Sequence, residues 1–248
     1  MNKRRVRMIA GPNGSGKSTL KKGIEKRLIG TYINADEIEE EIRKSGFLDL
    51  SPYGVKTSNE AALNFFRNSS FLKQAGLIDE THNLRFSDNK LLFNNVKVNA
   101  YFASVAADFI RHQLLETCEV FTFETVMSSP DKIEFLKKAQ KMGCQTYLYY
   151  VATEDPLINL LRVKSRVVNG GHPVPEDKII TRYHRSLDLL VSAVHATNRA
   201  YIFDNTLNEL RWIAEITDGK KIELKTSEMP AWLQRVLGEK FVNAAANP

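Results

Sequence analysis

The chain predicts an α/β fold, a parallel five-stranded sheet with helices on both faces. Two observations carry this. Five short apolar or β-branched runs, 6–10, 31–34, 120–123, 146–151 and 200–203, are separated by helical patterns. Strands that alternate with helices build parallel sheets, because each crossover returns the chain to the same edge. Directly after the first run, Gly11-Pro-Asn-Gly-Ser-Gly-Lys-Ser-Thr19 satisfies G-x-x-x-x-G-K-[ST], the loop that cradles nucleotide phosphates. Strand, loop and helix are the context that motif requires. Ligands of open α/β sheets bind beyond the carboxyl ends of the strands, so the residues that follow each strand carry the functional reading.

The length of 248 residues fits one domain, 1–248, with an insertion. Hydrophobic content of 43% and charged content of 26% match a globular protein able to bury a core. Cys118 and Cys144 are too few for a disulfide framework, which suits a reducing cytoplasm. No apolar run reaches the roughly 20 residues of a membrane helix, so no membrane partner is expected. The net charge of +6 is uneven. Lys3, Arg4, Arg5 and Arg7 form one cluster; Arg162, Lys164, Arg166, Lys178, Arg182 and Arg185 outnumber Glu176 and Asp177 in a second. Two local clusters suit a small polyanion better than nucleic acid, which favours a continuous basic face; the N-terminal cluster by itself reads as a solvated tail.

In the loop, Gly11, Gly14 and Gly16 permit the tight backbone that turns N–H groups toward phosphates. Lys17 reaches the β- and γ-phosphates, and Ser18 offers a hydroxyl to Mg²⁺. Gly11, Asn13, Gly14, Ser15, Gly16, Lys17, Ser18 and Thr19 are therefore the expected ATP-binding residues. Leu20, Ile24 and Leu28 repeat at helical spacing and predict one helix after the loop.

Strand two ends in Tyr32-Ile-Asn-Ala-Asp36. Phosphoryl transfer to a hydroxyl needs a group that accepts its proton, and Asp36 is the candidate base. The alternative is that Asp36 caps the next helix with Glu39 as its capping-box partner. Glu37–Ser45 reads as that helix. Residues 47–98 read as an insertion, with a helix over 58–74 and a hairpin around Ser87-Asp-Asn-Lys90; a substrate cover and plain scaffold or dimer surface fit it equally. Asn99–Cys118 is a long helix with Phe102, Val105, Ala106, Phe109, Ile110 and Leu114 on its apolar stripe.

Strand three ends in Glu124, placed to hold a substrate hydroxyl or to position Mg²⁺ through water; the alternative is a dipole partner for the following turn. Ser129-Pro-Asp131 predicts a helix with Ser129 as its cap and Pro130 at its first position. Arg162 and Arg166, one helical turn apart, precede Asn169-Gly-Gly-His172 and two prolines. Arginines on such a hinged segment are how small-molecule kinases close over ATP, so 162–185 is the expected lid. The alternative is a solvated helix with surface arginines. Strand five ends in Asp204-Asn205, an end expected to border the nucleotide base through Asn205, with Asp204 and Asn205 as weaker candidates for Mg²⁺. Arg211–Ile216 and Lys220–Leu224 flank Thr217-Asp-Gly219 as a hairpin, and a terminal helix is expected from Pro230. No histidine or cysteine spacing suits zinc.

Taken together, Gly11–Thr19, Ile33-Asn-Ala-Asp-Glu-Ile38, Phe123-Glu-Thr-Val126, Arg162–Pro175, Arg182-Tyr183 and Phe203-Asp-Asn205 resemble the zeta toxin-like P-loop kinases over about residues 5–206, the insertion excepted. The resemblance implies a P-loop kinase-type sheet with a helical lid, and ATP with Mg²⁺ as donor and cofactor. It implies Lys17, Asp36, and Arg162 or Arg166 as catalytic residues. Glu124 would hold the substrate. Apart from the resemblance, His172 and Arg182 of the lid segment are further substrate-binding candidates, and Arg182 is also the reserve lid arginine. The best-known zeta toxins phosphorylate the sugar 3′-hydroxyl of UDP-N-acetylglucosamine, which implies a nucleotide sugar as the small acceptor and an antitoxin protein as a partner. Here the run after Glu124 is Thr125-Val-Met-Ser128, where the toxins usually carry a Gly-Thr-type stretch and an arginine. The Gly170-Gly-His172 lid belongs to the broader toxin-like branch. Two other activities compete: a polynucleotide 5′-hydroxyl kinase, which wants an extended basic groove, and a non-catalytic switch-type ATP-binding module, which needs neither Asp36 nor a lid.

Overall fold

The computed structural model describes residues 4–117, 120–207 and 209–237. Cys118 and Lys3 lie outside them. The chain opens with β1 (Arg5–Ala10), α1 (Lys17–Gly23) and α2 (Lys26–Ile29). It continues through β2 (Thr31–Ile33), α3 (Ala35–Ser45), β3 (Phe47–Asp49), α4 (Asn59–Arg67), α5 (Ser70–Gln74), β4 (Arg85–Ser87), β5 (Lys90–Leu92), α6 (Ala100–Thr117) and β6 (Phe121–Thr125). It ends with α7 (Asp131–Lys141), β7 (Gln145–Ala152), α8 (Pro156–Val168), α9 (Glu176–Asp188), α10 (Leu190–His195), β8 (Arg199–Asp204), β9 (Arg211–Thr217) and β10 (Lys221–Leu224). A last helical stretch occupies 231–237.

The fold is α/β. Five strands run in the order β10-β9-β8-β7-β1, and β6 lies beside β2. All five strands read from the sequence are present, with parallel pairing of β2 to β6, β1 to β7 and β7 to β8. The two extra strands are the expected C-terminal hairpin. Rather than standing apart, it extends the sheet, because β9 pairs antiparallel with β8. Left-handed Asp218 (φ 49°) and Gly219 (φ 65°) make its turn, as a tight hairpin requires.

By internal contacts the chain divides into two compact units, 1–29 with 124–248, and 30–123. In the first, α1 packs on β1 and β7, and α7 on β7. Val6 and Met8 of β1, Leu148 and Tyr150 of β7, and Ala200 and Ile202 of β8 are fully buried. Each large apolar side chain so buried contributes about 1.5–3 kcal/mol. Leu20, Ile24 and Leu28 do not share one helix. Ile24 is extended (ψ 130°), so α1 stops at Gly23 and a separate turn, α2, follows. Only Leu20 of the three is buried, so no continuous apolar stripe rewards a longer helix. Helix α7 begins at Asp131 with Pro130, not Ser129, at its cap position. Ser129 instead bonds the Asp131 carboxylate with its hydroxyl.

In the second unit, α3 packs against α6. Helix α6 buries Phe102, Val105, Ala106, Phe109, Ile110 and Leu114, the stripe read from the sequence. The insertion contributes a small antiparallel sheet of order β3-β5-β4. Its β4–β5 turn runs through left-handed Asp88 and Asn89 (φ 50° and 59°). The helix expected over 58–74 is two helices, because Ser69 leaves the helix to cap α5, accepting from the Leu72 N–H at 3.2 Å.

Candidate functional site

The phosphate loop begins where β1 ends. Two of its glycines are fixed by close backbone approach. Gly11 has φ 146°, and a Cβ there would overlap the Val151 carbonyl oxygen of β7. Gly16 has φ 104°, and a Cβ there would overlap the side-chain amide nitrogen of Asn205. Both conformations strain any other residue. Lys17 is buried, and its ammonium donates to the carbonyls of Gly11 at 3.0 Å and Pro12 at 3.1 Å. The charge thus lies inside the loop it belongs to, folded onto two backbone dipoles.

Two further loop atoms are buried with no hydrogen-bond partner among the described residues, Ser15 Oγ and Asn13 Oδ1. Buried polar atoms rarely go unsatisfied, and such exceptions mark places for a ligand or water. The Ser15 hydroxyl can donate to a phosphate oxygen; Asn13 Oδ1, an acceptor, suits water instead. Ser18 and Thr19 are exposed in the first turn of α1, where backbone N–H groups lack intrahelical acceptors. This donor set fits a phosphate, and the exposed Ser18 hydroxyl fits a hard cation that takes oxygen ligands.

Two side chains brace the loop from outside it, and a third, Arg162, holds the strand end behind one of them. The Asn159 amide, on α8, donates to the Asn13 carbonyl at 2.7 Å, and Asn159 Oδ1 accepts the Thr153 hydroxyl. The Asn205 amide donates to the Ser15 carbonyl at 2.8 Å. Arg162 Nη2 donates to the carbonyls of Asn205 at 2.8 Å and Thr206 at 3.4 Å. Burial pushes the Arg162 guanidinium below its ordinary value, and the Asp204 carboxylate pulls it back; an arginine stays charged through such shifts. Sequence reasoning missed Asn159. The signal was there: a single amide inside the apolar run Leu157-Ile-Asn-Leu-Leu161 at a fully buried position.

The expected lid is a helical hairpin, α8 and α9, closed by Leu160, Val163 and Ile179 with Val174 packed against them. Its base is tied to the end of β7. The Tyr183 hydroxyl donates to the Thr153 carbonyl at 2.6 Å, and burial raises that phenol above its ordinary value. The two arginines differ. Arg162 is in the fixed base, engaged by the strand end. Arg166 is exposed nearer the tip and donates to the His172 carbonyl at 3.0 Å. His172 is exposed and Arg182 half-buried on α9. Asp204 is buried and its carboxylate already accepts from Trp232 Nε1 at 2.9 Å, Thr206 Oγ1 at 2.6 Å and Arg211 at 3.2 Å. Glu124 is half-buried at the end of β6.

In the 30–123 unit, Asp36 is exposed at the second position of α3. It is not the cap. Asn34 holds that position, its side chain accepting from the Asp36 N–H at 2.8 Å. Glu39, the supposed capping-box partner, instead pairs with Arg43 at 2.6 Å. The Asp36 carboxylate therefore has no capping duty. Among the described residues no group of three or more His, Cys, Asp or Glu could hold a metal, and no helix is long and apolar enough to cross a membrane.

No family model matches this chain. An uncharacterised protein of Haemophilus influenzae (strain ATCC 51907 / DSM 11121 / KW20 / Rd) is 36% identical over 63 residues, 25% of this chain and 45% of that protein. The chain thus aligns with less than half the length of that relative. Among solved structures, AvrRxo1-ORF1:AvrRxo1-ORF2 with sulphate ions aligns at TM-score 0.49 and 11% identity, over 91% of this chain and 62% of that one. The same pair with ATP aligns at TM-score 0.47 and 12% identity, over 90% and 61%. A chain of the PezAT chromosomal toxin–antitoxin system of Streptococcus pneumoniae aligns at TM-score 0.49 and 12% identity, over 99% and 84%. None of these likenesses assigns a residue; the site rests on its own geometry.

Proposed function

We propose that the chain is an ATP-dependent kinase that transfers the γ-phosphate to a hydroxyl of a small acceptor, a nucleotide sugar such as UDP-N-acetylglucosamine. One observation carries the donor half. A glycine-rich loop with a buried lysine folded onto its own carbonyls, and an unbonded buried Ser15 hydroxyl, is braced by two side chains, Asn159 of α8 and Asn205 after β8. Loop donors held in place in this way stabilise phosphoryl charge with little reorganisation, and Lys17 alone must turn to reach it. Lys17 would leave the Gly11 and Pro12 carbonyls for the phosphates, and Ser18 would hold Mg²⁺.

For the acceptor half, Asp36 is the proposed base; its release from capping supports this. Glu124, His172 and Arg182 are the proposed acceptor contacts. Of the two arginines, Arg166 is the proposed lid residue for the γ-phosphate, because Arg162 is engaged in holding the strand end. An antitoxin partner and the nucleotide-sugar acceptor follow from the family resemblance alone. The engaged arginines favour a second reading, a non-catalytic ATP-binding module. ATP consumption against a panel of UDP-sugars, nucleosides, sugars and 5′-hydroxyl oligonucleotides separates the two. Turnover with a UDP-sugar supports the kinase; ATP binding without turnover on any acceptor supports the module.

A further inference from the structure

The last helical stretch, 231–237, is fastened to the ends of β7 and β8 through Trp232 and Arg235. Trp232 is wholly buried. Its indole N–H donates to Asp204 Oδ1 at 2.9 Å, and its backbone N–H to Glu154 Oε2 at 2.9 Å. Arg235, one turn on, pairs with Glu154 at 2.7 Å. Thr206 joins the two acids: its hydroxyl donates to Asp204 at 2.6 Å and accepts the Glu154 N–H at 3.0 Å. Asn205 lies between Asp204 and Thr206, so both of its chain neighbours are held. Its own N–H bonds the Ala152 carbonyl at 2.9 Å. Its amide is the group that holds the Ser15 carbonyl of the phosphate loop.

We propose that Trp232 is a positioning residue for the phosphate loop: by holding Asp204 it fixes the Asn205 amide against Ser15, so the phosphate site is complete only with the C-terminal helix docked. The slack available is small, since Gly16 passes so close to the Asn205 amide that a Cβ would overlap it. A buried carboxylate must be satisfied by donors. Removing the indole donor leaves Asp204 short of one, and the strand end then relaxes or takes up water. Asn205 moves with it. The nucleotide arm of the proposal rests on the phosphate-loop reading above; the loop-order arm does not.

The test begins without nucleotide. Trp232→Phe keeps an aromatic ring and removes the donor. Amide hydrogen exchange at residues 13–18 should quicken by about tenfold, as local opening does when a brace is lost. Asn205→Ala should do the same, and the double variant should exceed neither single by much, because both act on one contact. Leu136→Ala, a buried residue of α7, supplies a stability-matched control in which loop exchange stays at the wild-type level. Should Trp232→Phe fold poorly, Thr206→Val, which removes the bridging hydroxyl, should give the same pattern. Calorimetry with ATP should then show weaker binding by Trp232→Phe, about tenfold, again without further loss in the double variant. Loop exchange in Trp232→Phe no faster than in the Leu136 control overturns the proposal, as do additive effects of Trp232 and Asn205. Absence of ATP binding by the wild-type chain would overturn the phosphate-loop reading instead and leave the exchange result to decide this one.

Discussion

The Asn205 side-chain amide donates to the Ser15 carbonyl at 2.8 Å, joining residues 190 apart in sequence. It makes the end of β8 the support of the phosphate loop. Asn205→Ala should cost about 1 kcal/mol of stability, the net worth of one hydrogen bond. ATP affinity should fall about 3–10-fold as the loop loosens. Unchanged affinity at reduced stability would show that the contact serves the fold alone.

Gly16→Ala should be far more severe than a glycine substitution in an ordinary turn. It strains a left-handed backbone at φ 104° and drives a methyl into the Asn205 amide. A cost of about 1–3 kcal/mol is expected from the backbone conformation, with loss of phosphate binding. Gly54→Ala, where φ is 74° but a Cβ would meet nothing, is the comparison: similar strain, binding intact. Thermal unfolding and nucleotide titration of both variants distinguish the two effects.

Lys17→Ala should abolish most ATP binding or turnover. Removing the ammonium also removes its bonds to Gly11 and Pro12, so the loop should lose order even without nucleotide. Wild-type ATP affinity and activity in this variant would refute the proposed function outright.

Asp36→Asn should leave stability near wild type, because Asn34 caps α3. Phosphoryl transfer should fall by about 10²–10⁴-fold, the usual worth of a positioned base. Asn34→Ala should show the reverse emphasis, a stability loss of about 1 kcal/mol from the missing cap. Chemical denaturation beside single-turnover transfer rates checks both.

Arg162→Ala and Arg166→Ala should part company. Arg162→Ala should weaken ATP binding and lower stability, since it releases the Asn205 and Thr206 carbonyls. Arg166→Ala should lower kcat much more than it weakens ATP binding, the pattern of a group that acts in the transition state. If neither loses more than a few-fold in kcat, the ATP-binding module becomes the better account.

Much of this protein is written locally. The loop spelling Gly11 to Thr19 and the apolar runs of the five parallel strands declare themselves within a few residues. The turn residues Asp88-Asn89 and Asp218-Gly219 do so too, because backbone sterics and side-chain alternation act at short range. Helix ends were less legible. Ser69 and Asn34 won their cap positions, and Ile24 broke a helix its spacing favoured, because burial rather than periodicity decides whether a stripe continues.

Sequence alone therefore determined the fold class, the phosphate loop and the candidates at the strand ends. Tertiary structure decided what each candidate is free to do. It drew Arg162 onto a strand-end carbonyl, freed Asp36 from capping, and brought Asn159, Asn205 and Trp232 to the loop or its support. Those contacts join positions 146 and 190 residues apart for the two asparagines. No local pattern encodes them, because a buried amide or indole finds its partner only when packing has already placed the strand ends side by side.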